Sequence, residues 1–189
     1  MENEEKINAE PEDMLIDGKP LILKQVYPIR IAAIADLQCG GQYGLTIPEY
    51  EDRWGTKYSI GESARAKLWE YYNDFIEKAK ENKVQILFIV GDLISGQNPI
   101  ERGKYELTQD LEIQKDICAE VIVYFCEKVP SIQRVYLWRG TPYHGAKDTV
   151  IERDMAKRLN DMFHRRKMKV EAVYAGEYSY FEFKYDGIT

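Results

Sequence analysis

Histidine and cysteine are scarce in this chain. Two histidines, His144 and His164, and three cysteines, Cys39, Cys118 and Cys126, are spread over 189 residues. The cysteines are odd in number and lack CxxC spacing, and Cys118 and Cys126 fall in an apolar helical pattern. A disulfide framework or a cysteine zinc cluster is thereby excluded, and reduced thiols are expected. No apolar run approaches the roughly 20 residues needed to span a bilayer. The N-terminus MENEEKINAEPEDM is acidic where a secretory signal is basic and then apolar, so a cytoplasmic protein with no membrane partner is expected. Positive charge is also short: 26 Lys and Arg against 32 Asp and Glu leave a formal charge of −6. That balance provides no broad basic footprint for nucleic acid and leaves room only for local basic sites.

The rest of the composition, 44% hydrophobic, is that of one globular domain with a sizeable core. Residues 1–20 are charged, Pro-containing and aperiodic, and read as a disordered acidic tail ahead of a domain over 21–189. Short apolar runs then alternate with segments of helical period. IRIAAIA (Ile29 to Ala35) is followed by SARAKLWEYYNDFIEKAKEN, with Ala64, Leu68, Tyr71, Tyr72, Phe75, Ile76 and Ala79 on one stripe, and by VQILFIV (Val84 to Val90). The unit repeats. LTQDLEIQKDICAEVIVYFCEKV places Leu107, Leu111, Ile117, Val121, Tyr124 and Phe125 near one face and stops at Pro130; QRVYLW (Gln133 to Trp138) follows as a strand. A third helix over about Thr149 to Arg166 leads to KVEAVYA. EYSYFEFKYDGIT is then read as a fifth strand, with Phe181, Phe183 and Tyr185 on one side. The pattern predicts an α/β fold with a mostly parallel sheet, doubly covered by helices and joined by right-handed crossovers.

Open parallel sheets bind ligands beyond the carboxyl ends of their strands, which directs attention to the residues there. The first strand ends in Asp36-Leu37-Gln38, the second in Gly91-Asp92-Leu93, and the third in Arg139-Gly140-Thr141-Pro142-Tyr143-His144-Gly145. Each residue alone has a bland explanation: Asp36 as a turn cap, His144 as a hydrogen-bonded loop histidine, His164 as a cation at a helix C-terminus. Two carboxylates and an imidazole on one edge are better explained together, as an oxygen and nitrogen ligand set for a divalent metal. CGGQYG does not match the GxGxxG spacing of a nucleotide-binding loop, and no helix follows it directly. The long segment LTIPEYEDRWGTKYSIGE, which carries Trp54, reads as a wall of the site. NPIERGKYELTQ reads likewise, with Arg102 and Lys104 as candidate phosphate contacts.

In the order in which they occur, ADLQCGG, IVGDLISG and LWRGTPYHG resemble the front blocks of the calcineurin-like metallophosphoesterase superfamily, in the version found in phages and archaea. The likeness covers about Ile29 to Asp154. It implies the front half of a β-sandwich with flanking helices, and hydrolysis of a phosphomonoester or phosphodiester through a water activated by two divalent ions (Mn, Fe, Zn or Mg). By the same likeness Asp92 bridges the two ions, Asp36 holds the first, and Gln38 and Thr141 stand at ligand positions. His144 sits beside the scissile phosphate. Three departures are plain. Gln38 replaces the family's histidine, Thr141 replaces its asparagine, and the later histidine blocks do not follow His164. The chain therefore reads as the front part of a longer metallophosphoesterase whose phosphate ester substrate, nucleic acid included, is set by its loops. A homo-oligomer is compatible with an incomplete sheet. The rival expectation is a catalytically inactive binding or scaffold domain of the same fold.

Overall fold

The computed structural model describes residues 14–16, 19–21, 29–59, 64–97, 104–141 and 150–179. Strands β1 (Met14–Ile16) and β2 (Lys19–Leu21) pair antiparallel, within and just past the stretch read from its charge as a tail. β3 (Ile31–Ala35) opens the main sheet. Two short strands follow, β4 (Tyr50–Glu51) and β5 (Lys57–Tyr58), paired antiparallel with each other. Then come α1 (Ala64–Glu81), β6 (Ile86–Val90), α2 (Leu111–Lys128), β7 (Arg134–Trp138), α3 (Ile151–Arg165) and β8 (Glu171–Gly176). The segment proposed from sequence as a fifth strand, beyond Ser179, lies outside the described residues.

The fold is α/β. Its main sheet is parallel throughout and has the order β3-β6-β7-β8, each strand beside its predecessor. That order has a geometric consequence. Right-handed crossovers between successive neighbours return on the same side, so α1, α2 and α3 all lie on one face. The large core cluster joins residues of all three helices to Ala32, Leu87, Ile89, Val135, Leu137 and Ala172. The strand residues of opposite parity form a separate cluster of Ile86, Tyr136 and Ala175 with Phe88, Trp138 and Val173, to which no described helix contributes. The expected covering by helices thus holds, and among the described residues all three helices lie on one face of the sheet.

Helix α2 occupies the middle of the helical layer, between α1 and α3, and is buried almost all round. Ile113, Ile117, Cys118, Val121, Ile122, Phe125 and Cys126 belong to the core, as does the side chain of Gln114. A single apolar face, as the sequence pattern suggested, would suit a helix with one wet side. Leu107 precedes the helix, whose start is fixed by Asp110: its carboxylate accepts from the backbone N–H groups of Glu112 (2.8 Å) and Ile113 (3.4 Å). Pro130 follows its C-cap.

Helix α1 packs on α2 by a narrower stripe than expected. Trp69, Tyr72, Phe75 and Ile76 face inward, with the Trp69 ring 5.0 Å from Tyr124 and the Tyr72 hydroxyl donating to the Val121 carbonyl (3.0 Å). Leu68 and Tyr71 are exposed instead. The reason is that α1 buries itself against a neighbouring helix, which takes a narrower band than a sheet would. All three cysteines are free and buried, and no helix among the described residues is long and apolar enough to cross a membrane.

Charged groups tie the layer together at its surface. Glu112 pairs with Lys115 and Arg158, and Arg158 also reaches Asp116, linking α2 to α3. Two outcomes are expected on urea denaturation. Asp110→Ala should destabilise the protein by about 1 kcal/mol through loss of the α2 cap. The hydrogen bond from Lys115, opposed by partial burial and reinforced by Arg158, holds the Glu112 carboxyl below its ordinary value of 4.5. Its contribution to stability is therefore present above about pH 4.5 and lost as the pH falls through the lowered folded value, and Glu112→Gln should flatten that acid limb.

Candidate functional site

Parallel pairing of β3 with β6 puts Ala35 opposite Val90, so the chain leaves both strands at the same level. It leaves them by the same device. Asp36 (φ 55°), Gln38 (φ 44°), Gly91 (φ 72°) and Asp92 (φ 49°) all have left-handed backbone. Three other non-glycine residues among those described share this conformation, each for an ordinary reason: Lys83 and Lys167 follow the ends of α1 and α3, where a left-handed residue commonly closes a helix, and Glu49 lies in the turn before β4. At Asp36, Gln38 and Asp92 no helix end demands it, and strained backbone of this kind concentrates at functional sites.

The two chains stay joined through the kink. Gln38 N–H donates to the Asp92 carbonyl and Cys39 N–H to the Leu93 carbonyl, both at 3.0 Å, and Ser95 N–H returns to the Cys39 carbonyl at 3.0 Å. Behind them stands Gln114 of α2. Its amide nitrogen donates to the carbonyls of Gly96 (3.1 Å) and Thr108 (2.8 Å), and its oxygen accepts from Gly96 N–H (2.8 Å). Gly40 packs so closely on this side chain that a Cβ there would lie 2.4 Å from the Gln114 Cγ. One buried amide thus anchors the loops after both strands.

The third strand supplies the partner of Asp92. Gly140 passes directly beneath it, and a Cβ on Gly140 would lie 2.3 Å from the Asp92 nitrogen; a Cβ on Gly91 would lie 2.7 Å from the Gly140 Cα. Only glycine at both positions permits the approach. Thr141 then donates twice to Asp92 Oδ1, from its N–H at 2.7 Å and from its hydroxyl at 3.0 Å. The Thr141 hydroxyl, expected to stand in for an asparagine ligand, is therefore committed to Asp92. Asp92 Oδ2 has no hydrogen bond among the described residues.

Glu152, in the first turn of α3, completes the support and was missed from the sequence. Its buried carboxylate accepts from Gly140 N–H at 3.0 Å. Burial pushes its pKa above the ordinary 4.5, and the charge of Asp92 pushes it further in the same direction. The only sequence signal is an acidic residue in a helix's first turn, which is too common to single out. The chain also positions Arg139 on this edge, ion-paired with Glu177 and with its N–H on the Gly176 carbonyl at 3.0 Å.

The sequence-predicted residues therefore divide. Asp36, Gln38, Asp92 and Thr141 lie together at the carboxyl edge of β3, β6 and β7. Asp36 is solvent-exposed and free of ion pairs among the described residues. Gln38 is half-buried, and its carbonyl accepts from Gly41 N–H at 3.0 Å. Lys104 is exposed in the loop after β6 with its ammonium 5.5 Å from the Tyr105 ring centroid. His144 and Arg102 lie outside the described residues. His164 stands in the last turn of α3, where a cation complements the helix dipole.

As donors for a cation, Asp36 and Asp92 are hard carboxylates suited to Mn or Mg rather than to a thiolate-seeking metal. Among the described residues no group of three or more His, Cys, Asp or Glu is placed to hold a metal. The chain matches no family model and no curated protein sequence.

Removing the carboxylate beneath Gly140 tests the scaffold. Glu152→Ala is expected to cost about 1–2 kcal/mol in urea denaturation by leaving the Gly140 N–H without its acceptor, whereas Glu152→Gln keeps one. Because the folded pKa is raised, the ionised group's penalty is absent below pH 4.5 and grows as the pH rises through the folded value. Stability of the natural protein should fall across that range relative to Glu152→Gln.

Proposed function

We propose that the chain is a metal-dependent phosphoesterase that hydrolyses a phosphomonoester or phosphodiester at the carboxyl edge of β3, β6 and β7. One observation carries this proposal. Two aspartates end adjacent parallel strands in left-handed backbone, and one of them, Asp92, is gripped through Oδ1 while Oδ2 has no hydrogen bond among the described residues. A carboxylate that serves only as a turn cap is satisfied by its own turn. Asp92 is instead oriented by a neighbouring strand, as a ligand needs to be when the supporting residues set its direction.

Asp36 and Asp92 would hold the divalent ions, with Gln38 as a neutral oxygen donor beside them. Such ions, when bound, neutralise phosphoryl oxygens and lower the pKa of water. The chain's own residues perform the rest. Thr141 keeps Asp92 Oδ1 occupied, so Oδ2 is the atom presented outward. Gly140 and Gly91 let the two strand ends approach within contact of one another, and Glu152 fixes the peptide between them. His144 is assigned, on the family resemblance alone, to the phosphate and the leaving oxygen, where a general acid contributes about 10²- to 10⁴-fold.

Purified protein freed of metal and titrated with Mn²⁺ should bind it and should then cleave bis(p-nitrophenyl) phosphate. Asp92→Asn should lose both properties, and His144→Ala should keep Mn²⁺ binding while losing at least about 10²-fold in kcat. If saturating Mn²⁺ leaves the protein metal-free by elemental analysis, the phosphoesterase proposal fails. The inactive binding domain then takes its place, a reading that Gln38 and the small number of charged donors support.

A further inference from the structure

We propose that Tyr43, Tyr105 and Lys104 form a stacking platform on the loops that carry the two aspartates, and that the phosphoester handled there bears a nucleobase. The proposal rests on the phosphoesterase reading for the position of the phosphate. The platform itself is read from the loops.

Tyr43 sits in the turn that leaves Gln38 and folds back on its own start: Gly41 N–H donates to the Gln38 carbonyl at 3.0 Å and Leu45 N–H to the Leu37 carbonyl at 2.9 Å. Tyr105 comes from the separate loop after β6. Two main-chain hydrogen bonds bind the two loops side by side, Gln42 N–H to the Tyr105 carbonyl (2.6 Å) and Leu107 N–H to the Gly40 carbonyl (2.8 Å), and together they make the antiparallel bridge between Gly41 and Glu106. The rings end 6.4 Å apart, tilted by 40°, and remain 60% and 39% exposed.

Large aromatic side chains held open to solvent by fixed backbone lose apolar burial for no gain in the fold. Nucleobases recover it, since every base has a flat face to lay on a tyrosine ring. Lys104 adds the second half of the recognition. Its ammonium lies 5.5 Å from the Tyr105 ring centroid and forms no ion pair among the described residues, which places a cation beside the stacked ring in a protein of net charge −6. A flat ring and an anion side by side, on the loops that follow β3 and β6, describe a nucleoside phosphate. An unsubstituted sugar phosphate would use the cation and leave the rings bare, and an aromatic peptide would use the rings and leave the cation bare.

The same chemistry is carried by a mononucleotide and by a single strand, and both are tested. In the presence of chelator, so that no hydrolysis intervenes, thymidine 5′-monophosphate should bind about tenfold more tightly than the base-free 2-deoxyribose 5-phosphate. Tyr43→Ala and Tyr105→Ala should each reduce that preference, and the double variant should abolish it. Tyr71→Ala serves as the control, because Tyr71 is an equally exposed tyrosine with a lysine 4.9 Å from its ring, but on α1. Oligothymidylate that binds more than tenfold tighter than the mononucleotide identifies the single strand as the source; equal binding identifies the mononucleotide. Equal affinity for the base-bearing and base-free phosphates, or a preference that survives the double variant, overturns the proposal. Neither result depends on Mn²⁺, so failure of the platform and failure of the phosphoesterase reading are separately visible.

Discussion

The double donation from Thr141 to Asp92 Oδ1 is the contact on which the carboxyl edge of this sheet depends. It joins β6 to β7 beyond the last paired residues, where the parallel ladder no longer operates, and it exists only because Gly91 and Gly140 let two backbones approach to a separation that a methyl group would prevent. Through Glu152 the same point is tied down to α3, and through Gln38 N–H it is tied across to β3. Three strands and one helix meet around a single aspartate. The energetic sense of such an arrangement lies in orientation: each bond is worth about 1 kcal/mol net, but together they give the second carboxylate oxygen, without a hydrogen bond among the described residues, a fixed direction.

The helical layer explains how that edge is held steady. Because the strands follow one another in sheet order, every crossover lands on the same face, and the helix in the middle has to be apolar on nearly all sides. Gln114 is the polar exception within it. Fully buried, it satisfies itself on Gly96 and Thr108 and so ties the loop that carries Tyr105 to α2, while Gly40, in the loop that carries Gln38 and Tyr43, packs on its side chain. An apolar residue of similar volume would fill the same space and leave the amide of Gly96 without its acceptor.

The strands were legible in the sequence because each is a short apolar run with an abrupt polar end, and Asp36 and Asp92 were legible because they are those ends. Their coming together followed from topology, since residues after successive parallel strands share an edge. Glu152, Gln114 and Trp69 were not legible, and for one reason: each lies in a helix, where glutamate, glutamine and tryptophan suit many environments and only the tertiary partner distinguishes them. The partners of Gln114 and Glu152 are backbone groups of Gly96, Thr108 and Gly140, which no local pattern announces. The same limit misplaced Leu68 and Tyr71 on the inner face of α1, because the stripe of a helix that packs on another helix is narrower than that of one lying on a sheet. The left-handed backbone at Asp36, Gln38 and Asp92 left no trace in composition either, since aspartate tolerates it and glutamine does not advertise it.

The central claim is that Asp36 and Asp92 are oriented for a cation. Crystals of the protein soaked in Mn²⁺ and measured at the manganese edge test it most directly. An anomalous peak bonded to the Asp36 carboxylate and to Asp92 Oδ2, with Thr141 still on Oδ1, is the result this account predicts. Manganese bound elsewhere, or an empty edge at saturating Mn²⁺, would contradict it.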